Sequence, residues 1–142
     1  MTIDQNQDRI IEEFSEIEDW MDRYSYIIDL GNSLPPIDDS LKTPEHIIEG
    51  CQSRVWLDAK MDDNGKVWFT ADSDAIIVKG IISLLISVLN GHTPQEILDA
   101  KLRFIDEIGL AENLSPTRSN GLLAMIKQMR AYALAFNAMQ KG

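Results

Sequence analysis

Val55-Trp56-Leu57-Asp58-Ala59-Lys60-Met61, Asp62-Asp63-Asn64-Gly65-Lys66 and Val67-Trp68-Phe69-Thr70-Ala71 follow one another without a break. Val55, Leu57, Ala59 and Met61 alternate onto one face, as do Val67, Phe69 and Ala71, the period of two that marks half-buried strands. Loop length determines how the strands pair. A two-residue Asn64-Gly65 turn sets Met61 opposite Trp68 and throws the two apolar sets onto opposite faces. A three-residue Asp63-Asn64-Gly65 loop sets Met61 opposite Val67 and Ala59 opposite Phe69, so both sets share one face. The second arrangement is expected, as a type I turn with Gly65 in the left-handed bulge position. Trp56 and Trp68 then fall on the other face, where they need cover from a helix, a partner or each other's neighbours.

Two strands alone are marginal in water, so helices must cover this hairpin. Ala75 to Leu89 is apolar nearly all round and reads as the central helix, capped by Ser73 or Asp74 and closed by Asn90-Gly91. Downstream, Thr93-Pro94-Gln95-Glu96 is a capping box with proline at the first helical position. Phe104 to Ile108 is a short helix ending at Gly109. Ser115-Pro116 opens a long helix with the stripe Leu122, Met125, Ile126, Met129, Tyr132, Ala133, Phe136 and Met139. Upstream, Thr2 caps a helix with Ile3, Ile10, Ile11, Phe14 and Ile17 on one stripe, and a second helix follows a bend near Asp19. Gly31 is expected to end it as a left-handed cap, before the stiff connector Leu34-Pro35-Pro36 and a helical turn at Thr43-Pro44-Glu45-His46. The expected architecture is α+β, a small antiparallel sheet packed against several helices in a single domain, 1–142.

The formal charge of -10 is lopsided: residues 1–50 carry 13 acidic and 3 basic side chains, and the remainder balances to zero. Such a chain repels phosphate backbones and anionic membranes, and neither nucleic acid nor a membrane is expected as a partner. The longest apolar run, Ala75 to Asn90, is interrupted by Lys79 and two serines and is too short to span a bilayer. One cysteine excludes an internal disulfide and a Cys-rich zinc or iron–sulfur site, and no carboxylate–histidine cluster suggests a metal. A lone thiol and a start without signal-peptide character point to the cytoplasm.

Candidate chemistry therefore centres on Gly50-Cys51-Gln52-Ser53, a loop that feeds directly into the first strand. Cys51 is either a buried small hydrophobe or a reactive thiol. Gly50 permits a left-handed backbone that can turn the following amides toward the sulfur, and Gln52 and Ser53 are polar company for a core residue. A hydrolase needs a base beside the thiol; His46, five positions earlier, sits at no spacing that guarantees one, and both histidines read as ordinary surface or loop residues. A peroxidase resolving within one chain needs a second cysteine.

Several segments resemble the SufE family of sulfur acceptors: Asp29-Leu30-Gly31, Leu34-Pro35-Pro36, Gly50-Cys51-Gln52-Ser53 with Val55-Trp56, and Ala71-Asp72-Ser73-Asp74-Ala75. So do Lys79-Gly80, Asn90-Gly91-His92-Thr93-Pro94 and Leu114-Ser115-Pro116-Thr117-Arg118-Ser119-Asn120-Gly121-Leu122. Asn113 departs from the pattern, since family members often carry histidine there. The resemblance implies a fold like that of the IscU scaffold. It also implies that Cys51 accepts sulfane sulfur from a SufS-type cysteine desulfurase, stimulates that enzyme and passes sulfur toward iron–sulfur cluster assembly. The chain then needs no cofactor of its own, the PLP belonging to the partner, and works as a monomer or homodimer, a carrier and activator and not a stand-alone enzyme. Arg54 and Arg118 are the candidates for charge that raises the thiolate fraction, and the resemblance places Asp72, Ser73 and Asp74 toward the desulfurase. Arg118 has a structural alternative, an ion pair with Glu112, and Asp74 another, the helix cap. Two other readings stay open. One is a CsdE-like paralogue serving another desulfurase and a tRNA-modification route; the other is an interaction module with an inert cysteine.

Overall fold

A computed structural model describes residues 1–141, Lys141 by its backbone alone. It has α1 Ile3–Ser15, α2 Trp20–Asn32, β1 Val55–Met61, β2 Val67–Ser73, α3 Ile76–Leu89, α4 Pro94–Asp99, α5 Phe104–Glu107 and α6 Pro116–Lys141. The architecture is α+β, as expected.

The hairpin has the register that its alternation demands, with Met61 opposite Val67 and Ala59 opposite Phe69. Gly65 sits at φ +76°, and the Asp62 N–H donates to the Lys66 carbonyl at 2.8 Å, closing the three-residue loop. Val55, Leu57, Val67 and Ala71 are fully buried on the inner face. On the outer face Trp56 is half-buried and Trp68 exposed. The Lys42 ammonium lies 5.6 Å above the Trp56 ring. Trp68 is 48% exposed, donates its indole N–H to Asp62 at 2.9 Å and rests against Gly91. Each edge gains one extra rung: Ile47 bridges to Trp56, and Val67 to His92.

The central helix is α3, with Ile81, Ile82, Leu85 and Val88 almost wholly buried. Each such side chain contributes ~1.5–3 kcal/mol relative to exposure. Its cap is Ala75, without a side-chain hydrogen bond, and not Ser73 or Asp74. Both side chains hold Arg54: Asp74 Oδ1 accepts from the Arg54 N–H at 3.0 Å and Ser73 Oγ donates to the Arg54 carbonyl at 2.8 Å, while Ser73 Oγ also accepts from the Ala75 N–H at 3.2 Å.

Gly31 also departs from expectation. It lies inside α2, which runs on to Asn32, and its φ is not positive. A Cβ at Gly31 would come 2.6 Å from the Gly80 nitrogen, and one at Gly80 would come 2.2 Å from the Ile27 carbonyl oxygen. These two glycines are where the backbones of α2 and α3 touch, a requirement of tertiary packing and not of chain reversal.

The capping box expected at Thr93 and Glu96 forms on α4, and Thr2, the expected cap of α1, proves to build a second one with Gln5. Gln7, fully buried, donates to the Lys101 carbonyl and accepts from the Phe104 amide, tying α1 to the start of α5. On α6, Leu122, Met125, Met129 and Ala133 are buried, but Met139 is 69% exposed. A helix of 26 residues is ~39 Å long and outruns a core of this size. Among the described residues no helix is long and apolar enough to cross a membrane.

Candidate functional site

The single cysteine lies in a short loop whose base is stapled. The Ile48 N–H donates to the Val55 carbonyl at 2.9 Å, so residues 49–54 close on themselves between the extra rung and β1. At the exit, Arg54 is held by Asp74 and Ser73, and the Asp74 N–H donates to the Arg54 carbonyl at 3.2 Å. Gly50 takes φ +93°, the left-handed backbone expected of it, and a Cβ there would stand 3.2 Å from the Ala124 Cβ on α6. The loop tip is therefore pressed onto the first turns of α6.

Cys51 is half-buried. Its thiol donates to the Gly121 carbonyl, with Sγ 3.6 Å from the oxygen. It opens on a cavity of about 380 Å³ lined by Cys51, Gln52, Ser53, Val78, Ser115, Thr117, Arg118, Gly121 and Met125. Val78, Gly121 and Met125 are buried and form the inner end, while Gln52, Ser115, Thr117 and Arg118 are exposed and form the rim.

The electrostatics at rest differ from the expectation of a thiolate cradled by amides. Burial pushes the Cys51 thiol up, and the sulfur's hydrogen bond runs to a carbonyl, which suits S–H and not S⁻. Arg118 stands on the rim, where its backbone N–H donates to Ser115 Oγ at 3.3 Å. Among the described residues it forms no ion pair with Glu112 or any other carboxylate. Arg54 does not line the cavity; its backbone fastens the loop's exit.

Asp72 is occupied as well. Lys42 Nζ approaches it at 2.9 Å and Lys79 Nζ at 3.3 Å. Burial pulls its carboxyl up, yet the hydrogen bonds from Lys42, the Ser73 amide and Lys79 outweigh that and hold it below the usual carboxylate value. Asp72, Ser73 and Asp74 thus form a bracket beneath the cysteine loop, with Asp74 the most solvent-facing.

Neither histidine serves the thiol. His46 bonds Thr43 Oγ1 at 2.9 Å and faces Asp58 at 3.4 Å on the sheet's outer side. His92 is no surface residue: it is 6% exposed, with Nε2 2.9 Å from the Met1 carbonyl. Asn113, the departure noted above, donates to the Gly109 carbonyl at 2.8 Å, and its backbone carbonyl accepts from the Tyr24 hydroxyl. It closes the turn into α6 and takes no part in the cavity. No group of three or more metal-ligating side chains is found among the described residues.

Sequence reasoning did not bring Val78, Gly121 and Met125 to the sulfur, nor Ser115 and Thr117 to its rim. One signal was present: Gly121 lies in the interior of a long helical pattern, where glycine costs ~1 kcal/mol against alanine and calls for a packing reason.

A similar fold is seen in the solution structure of a hypothetical protein from Thermus thermophilus, at 22% identity and a TM-score of 0.77, covering 94% of this chain and 96% of that one. That likeness speaks to the fold alone. The model of a family described as "SufE: Fe-S metabolism associated domain" matches residues 8–133, from the middle of α1 to the buried stripe of α6 and across the whole cysteine loop, and the chain belongs to the SufE family.

Proposed function

We propose that this chain is a sulfur acceptor that takes persulfide sulfur from a SufS-type cysteine desulfurase onto Cys51, stimulates that enzyme and passes the sulfur on for iron–sulfur cluster assembly. Membership of the family associates the chain with Fe-S metabolism. The observation that carries the finer reading is the setting of the sulfur, a lone thiol near the tip of a stapled loop, facing a cavity with space beyond it.

The transfer is thiol exchange. Cys51 as thiolate attacks the outer sulfur of the donor's cysteine persulfide; one S–S bond forms as the donor's breaks, and the donor cysteine leaves as thiolate with no net oxidation. The resting thiol is neutral and half sheltered, so attack follows an outward swing of the loop that ends its desolvation. Gly50 is the hinge. Arg118, facing the cavity mouth, attracts the anionic sulfur as it arrives. Folded back, the persulfide lies away from stray thiols. PLP chemistry belongs to the desulfurase, and the carrier works as a single domain in the reducing cytoplasm.

The test is to mix the protein with a PLP desulfurase and L-cysteine, follow sulfide release and weigh the intact protein. Cys51 gains one sulfur atom and Cys51→Ser loses the stimulation. The raised thiol pKa favours one other reading, an interaction module with an inert cysteine. Stimulation by Cys51→Ser equal to the parent's, with no added sulfur on the parent, decides for that module. Stimulation that appears only with a different desulfurase identifies the paralogue serving another route.

A further inference from the structure

We infer that Gly121 is a positioning residue for the persulfide, and that its missing side chain is the space into which the outer sulfur folds. The inference rests on the acceptor reading above and adds to it the residue that separates holding a persulfide from holding a thiol.

Gly121 sits in the second turn of α6, fully inside the helix and without a positive φ. Nothing in its backbone therefore requires glycine. A Cβ built there meets a single neighbour, Cys51 Sγ, at 3.6 Å, an ordinary van der Waals contact. Alanine would thus fit against the resting thiol. It would not fit against the loaded one. With an S–S bond of ~2.05 Å and a Cβ 3.6 Å from Sγ, any outer sulfur within roughly 75° of that carbon's direction comes closer than about 3.7 Å to it. The cone is centred on Gly121, which is buried as Val78 and Met125 are, whereas Gln52, Thr117 and Arg118 in the same lining are exposed. A methyl at position 121 leaves the thiol in place and drives the second sulfur outward, where other thiols reach it.

The helix itself argues the same way. Gly121 weakens α6 relative to alanine, so the variant is expected to gain stability while losing shelter, opposite to the pattern of a merely structural glycine.

The experiment uses the full chain and inorganic tetrasulfide. Cys51 thiolate attacks a terminal sulfur, becomes Cys51–S–S⁻ and expels trisulfide, so no oxidant is needed. After removal of excess reagent, dithiothreitol is added and the lifetime of the extra sulfur is read by intact mass in parent, Gly121→Ala and Gly121→Ser. Both variants are expected to lose their sulfur roughly tenfold faster than the parent, the scale of shift that overfilling a fitted space produces. Alkylation of the unloaded thiol by iodoacetamide stays as in the parent, and the Tm of Gly121→Ala rises by about 2–4 °C. Equal persulfide lifetimes in parent and variants overturn the inference. So does a parent persulfide stripped as fast as the same protein's in urea. Loading without a desulfurase keeps this result apart from the acceptor reading: a chain that shelters its sulfur but takes none from a desulfurase sinks only the latter.

Discussion

Replacing Gly50 with alanine tests whether the cysteine loop is hinged there. In the resting structure Gly50 has φ +93°, and an added Cβ would stand 3.2 Å from the Ala124 Cβ on α6. The left-handed backbone alone costs a residue with a side chain ~1–2 kcal/mol. The contact with Ala124 pushes in the same direction, because it is relieved only when the tip lifts off α6. Strain confined to the tucked state moves the population toward the lifted one, by a factor of ~5 to ~30 for ~1–2 kcal/mol. Cys51 is the only cysteine, so the rate of alkylation by iodoacetamide at fixed pH reports this one site. With loop motion faster than alkylation, that rate follows the lifted population and rises by the same factor in Gly50→Ala. The tucked state is the populated native one, so the same ~1–2 kcal/mol also lowers the Tm by several degrees, and the rise in alkylation is what sets a hinge apart from general destabilisation. Slower or unchanged alkylation, accompanied by a fall in Tm, would show that the strain is spread through the fold and that Gly50 is no hinge.

Gly80→Ala places a Cβ 2.2 Å from the Ile27 carbonyl oxygen and forces α2 from α3, at a cost of ~3 kcal/mol, the upper end of ordinary overpacking; an unmoved urea midpoint would refute the close crossing. Because burial raises the Cys51 thiol pKa, the alkylation rate of the native protein climbs at higher pH than that of the same protein in urea. The folded state holds this proton more tightly, so the associated stability is present at low pH and disappears as pH rises from the unfolded pKa through the folded one; coincident profiles would contradict the sheltered thiol. Asp72 has the opposite sign. Its folded pKa is lowered, so its stabilisation is full above the unfolded value and is lost as pH falls through the folded one. Asp72→Asn should therefore flatten the acid limb of the stability curve, and an acid limb identical to the parent's would argue against the bracket with Lys42 and Lys79.

What the chain discloses by itself is whatever short-range physics controls. The register of β1 and β2 follows from two alternating apolar sets and a loop that must put them on one side, and it is the register found. Thr2 and Thr93 cap their helices through residues three positions on, within reach of local reasoning. Gly31 was misleading because two quite different demands, a left-handed cap and a helix crossing, both select glycine; only the position of Gly80 in space distinguishes them. Asp74 was ambiguous for a similar reason, since a carboxylate before a helix suits a cap as well as an amide twenty positions back. The sulfur's surroundings were the least legible. Cys51 and Gly121 are seventy residues apart, and no periodicity connects a loop to the second turn of a distant helix. The family motifs marked both segments without saying that they meet.

The loop's fastenings indicate which part of it moves. At the base, Ile48 bonds Val55, and Arg54 is gripped by the Asp74 carboxylate, the Ser73 hydroxyl and the Asp74 amide. Neutral bonds of this kind contribute ~0.5–1.5 kcal/mol each and one to a carboxylate ~1.5–3 kcal/mol, less where water competes. At the tip, the polar hold on Cys51 is a sulfur–carbonyl contact of 3.6 Å, a class worth ~0.5–1 kcal/mol. The balance favours a tip that lifts while the base stays closed. Re-ordering a lifted segment of five residues, 49–53, costs far less than re-forming the hairpin and would leave β1 in register. Under the proposed acceptor role, a donor that offers the Cys51 thiol a hydrogen-bond acceptor equal to the Gly121 carbonyl, and an apolar contact in place of the cavity wall, would draw the sulfur out with little driving force. In the same proposal a loaded loop would return for the same reason, since the stapled base keeps the sulfur within one loop length of the cavity.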